Sequence, residues 1–268
     1  MLDWIFEAII DWVARTVTSL MDAVSGLFLN ALGTDMTAME EYFPFVSKAF
    51  DIMQYRSLRF RERRVIKMIY FTSDLHLGHK NIVDLCKRPF ADVDAMDAVL
   101  IDNWNRKVKK NDIVYLTGDV VWDKKKVAYY MEQLSGKKIL VAGNHDSTWI
   151  KREECQKYFE EIVLYLEVHL NGHPITMCHY PMLEWRSSRE ESKRKLGYLI
   201  HGHIHNRIAD EYRQLFLQFN ALNAGVDVND FAPVTFDELV ENNFQFKLSA
   251  LESEIDRNNL RTKFINMK

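Results

Sequence analysis

Short apolar runs and helical apolar patterns alternate along the chain from Met68 onward. The runs are rich in β-branched and aromatic residues and are bounded by polar or turn-forming residues, which is typical of buried strands. Between the first runs, apolar residues recur at helical spacing over residues 94–107 and 127–136. The alternation predicts an α/β fold. The predicted strands are Ile69–Thr72, Ile113–Leu116, Ile139–Val141, Ile162–Val168, Ile175–Cys178, Tyr198–Ile200 and Ala224–Val228.

The C-terminal part of the chain is predicted to be helical and then polar. Thr235 and Glu238 have the spacing of a capping box and predict the start of a helix. The stretch from Leu248 to Lys268 has few apolar residues, and we interpret it as a solvated helix or a frayed tail. We therefore expect one domain over residues 68–246 and a polar tail over residues 247–268.

The first 67 residues follow a different pattern. Residues 1–55 carry apolar residues at helical spacing, and their eight acids and two bases give a balance of -6. Residues 56–67 carry six bases and one acid, which gives +5, and this change of sign marks a boundary. We predict a helical segment over residues 1–55, packed on another helix or lying on a membrane surface. We predict a basic linker over residues 56–67, either solvated or in contact with phosphate groups.

The composition indicates a globular protein without a disulfide framework. With 47% hydrophobic and 27% charged residues in a chain of 268, a core can be buried. Three cysteines are too few for a disulfide framework, and a net charge of -3 gives no global attraction to nucleic acid. The longest uncharged N-terminal run, Ala23 to Thr34, is too short to span a membrane. We expect a cytoplasmic protein, with peripheral membrane association through residues 1–32 as the alternative.

Polar motifs follow five of the predicted strands and carry the candidate chemistry. They are Asp74-Leu75-His76, Gly118-Asp119, Gly143-Asn144-His145-Asp146, His179 and Gly202-His203-Ile204-His205. Motifs at the carboxyl ends of strands face one crevice in open α/β sheets. Asp74 and His76 are two residues apart, as are His203 and His205. On an extended segment this spacing would put both side chains of each pair on the same side.

These side chains have the composition of a metal site without thiolates. Carboxylate, amide and imidazole ligands suit Mn, Fe, Ni or Zn. Seven candidates are too many for one tetrahedral ion and are enough for two ions that share a carboxylate, which can clamp a phosphoryl group. The candidate ligands are Asp74, His76, Asp119, Asn144, His179, His203 and His205.

The five motifs, in this order, resemble the D-x-H, G-D, G-N-H-D/E, H and G-H-x-H blocks of the calcineurin-like metallophosphoesterase superfamily. The resemblance covers Met68 to about Phe246, and runs such as Asn223-x-Gly225-Val226-Asp227 look like a small bacterial and phage branch. It implies a four-layer αββα sandwich of two mixed sheets. It also implies two divalent ions, with Mn²⁺ preferred over Fe, Ni or Zn, and in-line attack on a phosphate ester by a metal-bridging hydroxide.

The resemblance also implies a role for each residue. The first metal would be bound by Asp74, His76 and His205. The second would be bound by Asn144, His179 and His203, and Asp119 would bridge the two. His145 would stabilise the transition state or protonate the leaving oxygen, and Asp146 would hold its ring. We expect His79, Asn81 and Arg88 to contact the substrate phosphate, with a purely structural turn as the alternative.

The sequence leaves the substrate open. We expect a phosphodiester or a phosphomonoester, with a nucleotide-derived ester as one candidate, and no stable complex with nucleic acid. The alternatives are a protein phosphatase and a non-catalytic scaffold on the same fold.

Residues 1–55 look somewhat like the N-terminal stretch of conjugal-transfer membrane proteins. We therefore hypothesise a fusion, with an autonomous domain that begins near Met68.

Overall fold

Two four-stranded sheets form the framework of the part of the chain that the structure describes. This computed structural model describes residues 67–170, 172–189 and 196–267. The predictions for residues 1–66, which include the helical segment and most of the basic linker, lie outside the described residues. No helix among the described residues is long and apolar enough to cross a membrane.

The strands follow one another in chain order within each sheet. The first sheet holds β1 (Ile69–Thr72), β2 (Ile113–Leu116), β3 (Lys137–Val141) and β4 (Glu161–Val163), all paired in parallel. The second sheet holds β5 (Tyr165–Leu170), β6 (His173–Cys178), β7 (Tyr198–His201) and β8 (Ala221–Asn223). Its β5–β6 pair is antiparallel and its other pairs are parallel. Only the second sheet is therefore mixed among these strand pairs, whereas we expected two mixed sheets.

Helices of different lengths connect and cover the strands. They are α1 (Ile82–Leu85), α2 (Val93–Lys107), α3 (Val127–Met131), α4 (Glu153–Gln156), α5 (Arg213–Phe216), α6 (Phe236–Ala250) and α7 (Glu254–Met267). The predicted capping box is present at the start of α6, where the side chains of Thr235 and Glu238 bond to each other's backbone N–H groups.

The strands send alternate side chains into different apolar cores, as the period of two requires. Phe71 of β1 and Ile200 of β7 belong to the core between the two sheets. On the outer face of the first sheet, Leu116 packs with Trp104 of α2. On the outer face of the second sheet, Leu199 packs with residues of the C-terminal helices. The predicted four-layer αββα arrangement is confirmed.

Two predicted strands are wrong in their bounds. The run from Ile162 to Val168 is two strands in different sheets, because the chain crosses between the sheets at Leu164, which is 71% exposed. A continuous apolar run does not reveal such a crossing. The last strand is β8, and Val226–Val228 forms a 3₁₀ turn instead of the predicted strand. This turn carries Asp227 toward the predicted ligands.

The C-terminal stretch buries more apolar surface than the expected solvated helix or frayed tail. Helix α7 buries Leu260 and Phe264, and the ring of Phe264 stacks on that of Phe244 at 3.8 Å between centroids. Two apolar residues one helical turn apart are enough to bury one face of a polar helix.

Candidate metal centre

The predicted motifs converge at the carboxyl ends of strands from both sheets. The loops after β1, β2 and β3 meet the residues that follow β7 along one crevice of about 790 Å³. Among the predicted site residues, its lining includes His76, His79, Asn81, Asp119, Asn144, His145, His203 and His205. Asp74, Asp146 and His179 are buried behind it.

One group of close ligand atoms consists of Asp74, His76 and His205. These atoms lie within 4.8 Å of one another, and the three residues are those predicted for the first metal. The Nε2 atom of His76 is buried and has no hydrogen-bond partner among the described residues. Burial also lowers the pKa of His76 well below its ordinary value, so its ring is neutral. A neutral imidazole with an unused buried nitrogen fits a metal ligand.

Asp227 orients His205 from behind. Its Oδ2 lies 2.8 Å from His205 Nδ1, which leaves Nε2 facing Asp74 at 4.0 Å. Arg88 holds the same carboxylate through two hydrogen bonds of 2.8 and 2.9 Å. Burial opposes a proton on His205, but the hydrogen bond to Asp227 and the nearby carboxylates outweigh it and raise the pKa to about 10. A metal ion at Nε2 would therefore compete with a proton.

A second group of close ligand atoms consists of Asp74, Asp119 and His179. His179 Nδ1 lies 2.7 Å from the carbonyl oxygen of Thr117, which assigns the proton to Nδ1 and leaves Nε2 as the ligand atom. That Nε2 lies 3.0 Å from Asn144 Oδ1 and 3.4 Å from Asp119 Oδ2. The structure thus brings together Asn144, His179 and Asp119, as predicted.

His203 lies at the exposed side of this second group. Its ring centroid is 5.1 Å from that of His179, and its backbone N–H donates to the carboxylate of Asp74. Its ring nitrogens are not in either group of atoms within 4.8 Å. His203 therefore remains a predicted ligand.

The backbone at the predicted ligands is unusual. Positive φ angles occur at Asp74 (56°), His76 (51°), Asp119 (53°), His203 (72°) and His205 (51°). Residues other than glycine seldom adopt this conformation, and it is concentrated at functional sites. The expectation that Asp74/His76 and His203/His205 lie on extended segments is therefore wrong. Their side chains converge because tight left-handed turns aim them into the crevice.

Glycine is required where these turns approach one another. A Cβ at Gly118, whose φ is +97°, would lie 2.4 Å from His179 Nδ1. A Cβ at Gly202 would lie 2.0 Å from Ser73 Oγ and 2.5 Å from Asp74 Oδ2. Both distances are too short for non-bonded atoms, so any larger residue would displace a candidate ligand.

Asp119 lies between the imidazoles of the two groups. Its Oδ2 is 3.6 Å from His76 Nε2, 3.4 Å from His179 Nε2 and 3.9 Å from His145 Nε2. Burial would raise the pKa of Asp119, but the adjacent imidazoles, that of His179 first, and the backbone N–H of His145 overcome it and lower the pKa to about 2. Asp119 is therefore a carboxylate at neutral pH.

His145 faces the crevice, whereas Asp146 has a different role from the predicted one. The His145 side chain is 40% exposed, and its backbone N–H donates to Asp119 Oδ1 at 3.0 Å. The carboxylate of Asp146 accepts from the backbone N–H groups of Asp119, Val120 and Gly143 at 2.8 to 3.0 Å. Asp146 therefore fastens the loops after β2 and β3 to each other, and the prediction that it holds the His145 ring is corrected.

Of the three expected phosphate contacts, Arg88 is placed elsewhere. Its side chain is fully buried, and its nitrogens donate to Asp227, to Met96 Sδ and to the carbonyl oxygens of Asp74 and Leu75. A guanidinium has five N–H donors, and these five hydrogen bonds leave none for a phosphate. Asn81 is exposed in the crevice, and His79 lines it, with its Nδ1 3.3 Å from His76 Nδ1.

Sequence reasoning assigned no role to Asp227 or Trp122. Asp227 stood in the run Asn223-x-Gly225-Val226-Asp227, which was noted only for its resemblance, and that run was the one signal that could have pointed to it. Trp122 follows the Gly118-Asp119 motif by three residues and lines the crevice beside His79 and His145. A tryptophan in an apolar run is usually a core residue, which concealed it.

The donor set and its environment fit divalent metal ions. Both groups offer only carboxylate oxygens and imidazole nitrogens, and two of the imidazoles have their other nitrogen fixed by an acceptor. This is the arrangement that orients histidine ligands in metal sites. An ion bound there would also give the buried His76 Nε2 the partner that it lacks among the described residues.

Relatives and solved structures resemble this part of the chain. The chain is 32% identical over 179 residues to the uncharacterized protein MJ1445 of Methanocaldococcus jannaschii, covering 66% of this chain and 91% of that protein. It is 27% identical over 195 residues to the Gene 66 protein of Mycobacterium phage D29, covering 65% and 94%. The crystal structure of AQ665 from Aquifex aeolicus, a protein of unknown function, aligns with a TM-score of 0.50 and 29% identity, covering 65% and 98%.

A family model matches more than half of the chain. The model of the calcineurin-like phosphoesterase superfamily domain matches residues 68–226, which include every predicted metal ligand. The chain therefore belongs to the calcineurin-like phosphoesterase superfamily and is a metal-dependent hydrolase of phosphate esters.

Proposed function

We propose that the chain hydrolyses a phosphodiester or a phosphomonoester with two divalent ions, Mn²⁺ being preferred over Fe, Ni and Zn. The observation that carries this proposal is the position of Asp119. One carboxylate oxygen lies 3.6 Å from an imidazole nitrogen of the first ligand group and 3.4 Å from one of the second. A carboxylate between two ligand groups is what a shared ligand of two ions requires.

We assign the ligands to the two ions in the same way as the sequence analysis did. Asp74, His76 and His205 would hold one ion, and Asn144, His179 and His203 the other, with Asp119 shared. When bound, such ions supply a hydroxide nucleophile at neutral pH and compensate the charge of the phosphoryl oxygens. The chain supplies the orientation, because Thr117 and Asp227 fix the tautomers of His179 and His205.

We propose that His145 acts on the leaving group of the substrate. It lines the crevice with its ring partly exposed, 3.9 Å from Asp119 and outside both groups of close ligand atoms. An imidazole in this position can donate a proton to the leaving oxygen or stabilise charge that develops on it. Asp146 supports this placement indirectly, since it fastens the loop that carries His145 to the loop that carries Asp119.

Metal stoichiometry and a substrate panel test the proposal together. The full chain is loaded with Mn²⁺, and bound metal is measured beside turnover of bis-p-nitrophenyl phosphate, phosphomonoesters and phosphopeptides. We expect about two equivalents of metal in the wild type and a loss of both metal and turnover in Asp119→Ala. Fewer than one equivalent without turnover would favour the non-catalytic scaffold, and preferential turnover of phosphopeptides would favour the protein phosphatase.

A further inference from the structure

Trp122 is an exposed aromatic side chain beside the proposed general acid. Its side chain is 43% exposed, although large aromatic rings are mostly buried in folded proteins. Its ring centroid lies 4.8 Å from that of His145, and it lines the same crevice as the candidate ligands. The metal chemistry described above makes no use of this side chain.

The indole ring is held in one orientation. It stacks on the buried ring of His79 with 3.6 Å between centroids and an interplanar angle of 1°. Its backbone N–H donates to the carbonyl oxygen of Leu77 at 3.0 Å, and Val121 forms a parallel bridge with Leu77. One face of the indole is thus covered by His79, and the fixed ring offers a flat surface to a planar group without further ordering.

The remainder of the crevice suits an anionic substrate larger than a simple phosphate. Lys87 and Arg207 line it and are exposed, and Arg207 lies beside Tyr212, with 3.5 Å from its Nη1 to the phenol oxygen. The volume of about 790 Å³ is in the range of sites that enclose small organic ligands. Cations on the wall and an aromatic ring near His145 match a phosphate ester with a planar substituent on its leaving group.

We propose that the substrate is a small nucleotide phosphodiester whose leaving nucleoside stacks its base on Trp122. This inference rests on the proposed function, because His145 is the group that places the leaving oxygen near the indole. Nucleobases stack on aromatic side chains irrespective of their identity, so the platform selects for the presence of a base and not for its sequence. Trp122 is then a residue that determines specificity.

The test compares two esters that differ only in the base. One is the methyl ester of adenosine 5′-monophosphate, and the other is its abasic counterpart with a methoxy group in place of adenine. We expect the Mn²⁺-loaded full chain to prefer the first ester in kcat/KM by about tenfold. Trp122→Ala should abolish most of this preference. Trp122→Phe should retain much of it, because a flat ring remains.

Tyr129→Ala is the matched control, since Tyr129 is also an exposed aromatic residue (62%) but does not line the crevice. It should keep the wild-type preference. An equal preference in the wild type and Trp122→Ala would overturn the platform. So would an equal loss on both esters in Trp122→Ala, because it would mean that the indole only supports His79.

A binding measurement separates this inference from the proposed function. Calorimetry with adenosine 5′-monophosphate and ribose 5-phosphate should give an affinity ratio of about tenfold that falls in Trp122→Ala. If the wild type hydrolyses neither these esters nor any ester of the panel above, the proposed function fails, while this ratio still decides whether Trp122 binds a base. If both esters are hydrolysed and the ratio is one, only the base platform fails.

Discussion

At the scale of single residues, the site depends on how each histidine is fixed. His179 and His205 each bind an acceptor through Nδ1, so their Nε2 atoms are directed at the carboxylates of Asp119 and Asp74. The ring of His145 is the most exposed of the three. The three imidazoles are therefore suited to different tasks, although they share one crevice.

His145→Ala should separate metal binding from catalysis. Removing a general acid costs typically about 10²- to 10⁴-fold in rate, while the ligand atoms of the two groups are left in place. We therefore expect the variant to keep its metal, measured by elemental analysis, and to lose most of its kcat. His169→Ala, at an exposed position on β5, is the control and should change neither quantity. Loss of metal in His145→Ala would instead identify His145 as a ligand.

Asp227→Asn should weaken metal binding without touching a ligand. The substitution removes the charge that holds His205 Nδ1 and leaves the buried Arg88 without its ionic partner. Changes behind a metal ligand typically lower affinity by about 10- to 100-fold, and we expect this range for Mn²⁺ by calorimetry. Asp237→Asn, on the exposed face of α6, is the control. An unchanged affinity would mean that Asp227 only stabilises the fold, which a lower melting temperature would register.

At the scale of elements, loops carry the site residues, and the strands that precede these loops hold them next to one another. The parallel strands β1, β2 and β3 end side by side, so the turns that follow them come together. The 3₁₀ turn Val226–Val228 adds Asp227 from the loop after β8. The same strands, through alternate side chains, anchor the helices on both outer faces.

Helix α7 is expected to contribute to stability through one face. Leu260 is 1% exposed in the core outside the second sheet, so Leu260→Ala should lower the free energy of unfolding by about 2–5 kcal/mol. Ile255→Ala, on the same helix but 73% exposed, should cost within about 0.5 kcal/mol. Urea denaturation measures both. Equal small effects would return this segment to the solvated tail that its composition suggested.

At the scale of the whole molecule, a buried lysine makes stability depend on pH. Lys247 of α6 donates to the carbonyl oxygen of Gln218 at 2.6 Å and to that of Ala221, and burial lowers its pKa from 10.5 to about 7. Between these values the unfolded chain binds more protons than the folded chain. The free energy of unfolding contributed by Lys247 therefore rises with pH, by up to about 1.4 kcal/mol per pH unit.

Lys247→Met should remove this contribution. Urea denaturation between pH 7 and pH 9 should give a smaller rise of the unfolding free energy for the variant than for the wild type. Lys263→Met, at an exposed position of α7, should keep the wild-type slope. A slope that is the same in all three proteins would contradict a neutral Lys247 in the folded state.

A shortened chain, Met68–Lys268, should fold and hydrolyse the same esters as the full chain. The family match begins at residue 68, and the apolar clusters of the described residues are built from residues after Met68. Circular dichroism and turnover of bis-p-nitrophenyl phosphate measure the outcome. If the shortened chain is insoluble while the full chain is active, residues 1–67 are required and the proposed autonomous start near Met68 is wrong.

The sequence by itself determined the layers and the identity of the chemistry. An unbroken apolar run such as Ile113–Leu116 indicates a strand that is buried on both faces, and motifs such as Gly143-Asn144-His145-Asp146 combine residue types that few structural roles require together. Strands β1 and β2 and the capping box of α6 could therefore be predicted from the sequence. So was the convergence of Asp74, His76 and His205.

The tertiary structure decided what depends on contacts between distant segments. The crossing between the sheets at Leu164 and the left-handed turns at the ligands have no periodic pattern in the sequence. The buried ion pair of Arg88 and Asp227 joins residues that are far apart in the sequence. The partners of Asp146 were likewise not predictable from the sequence. Its neighbour His145 was the expected partner, whereas its carboxylate accepts hydrogen bonds from three backbone N–H groups. A sequence pattern records which side chains are available, and only packing selects the partner of each buried charge.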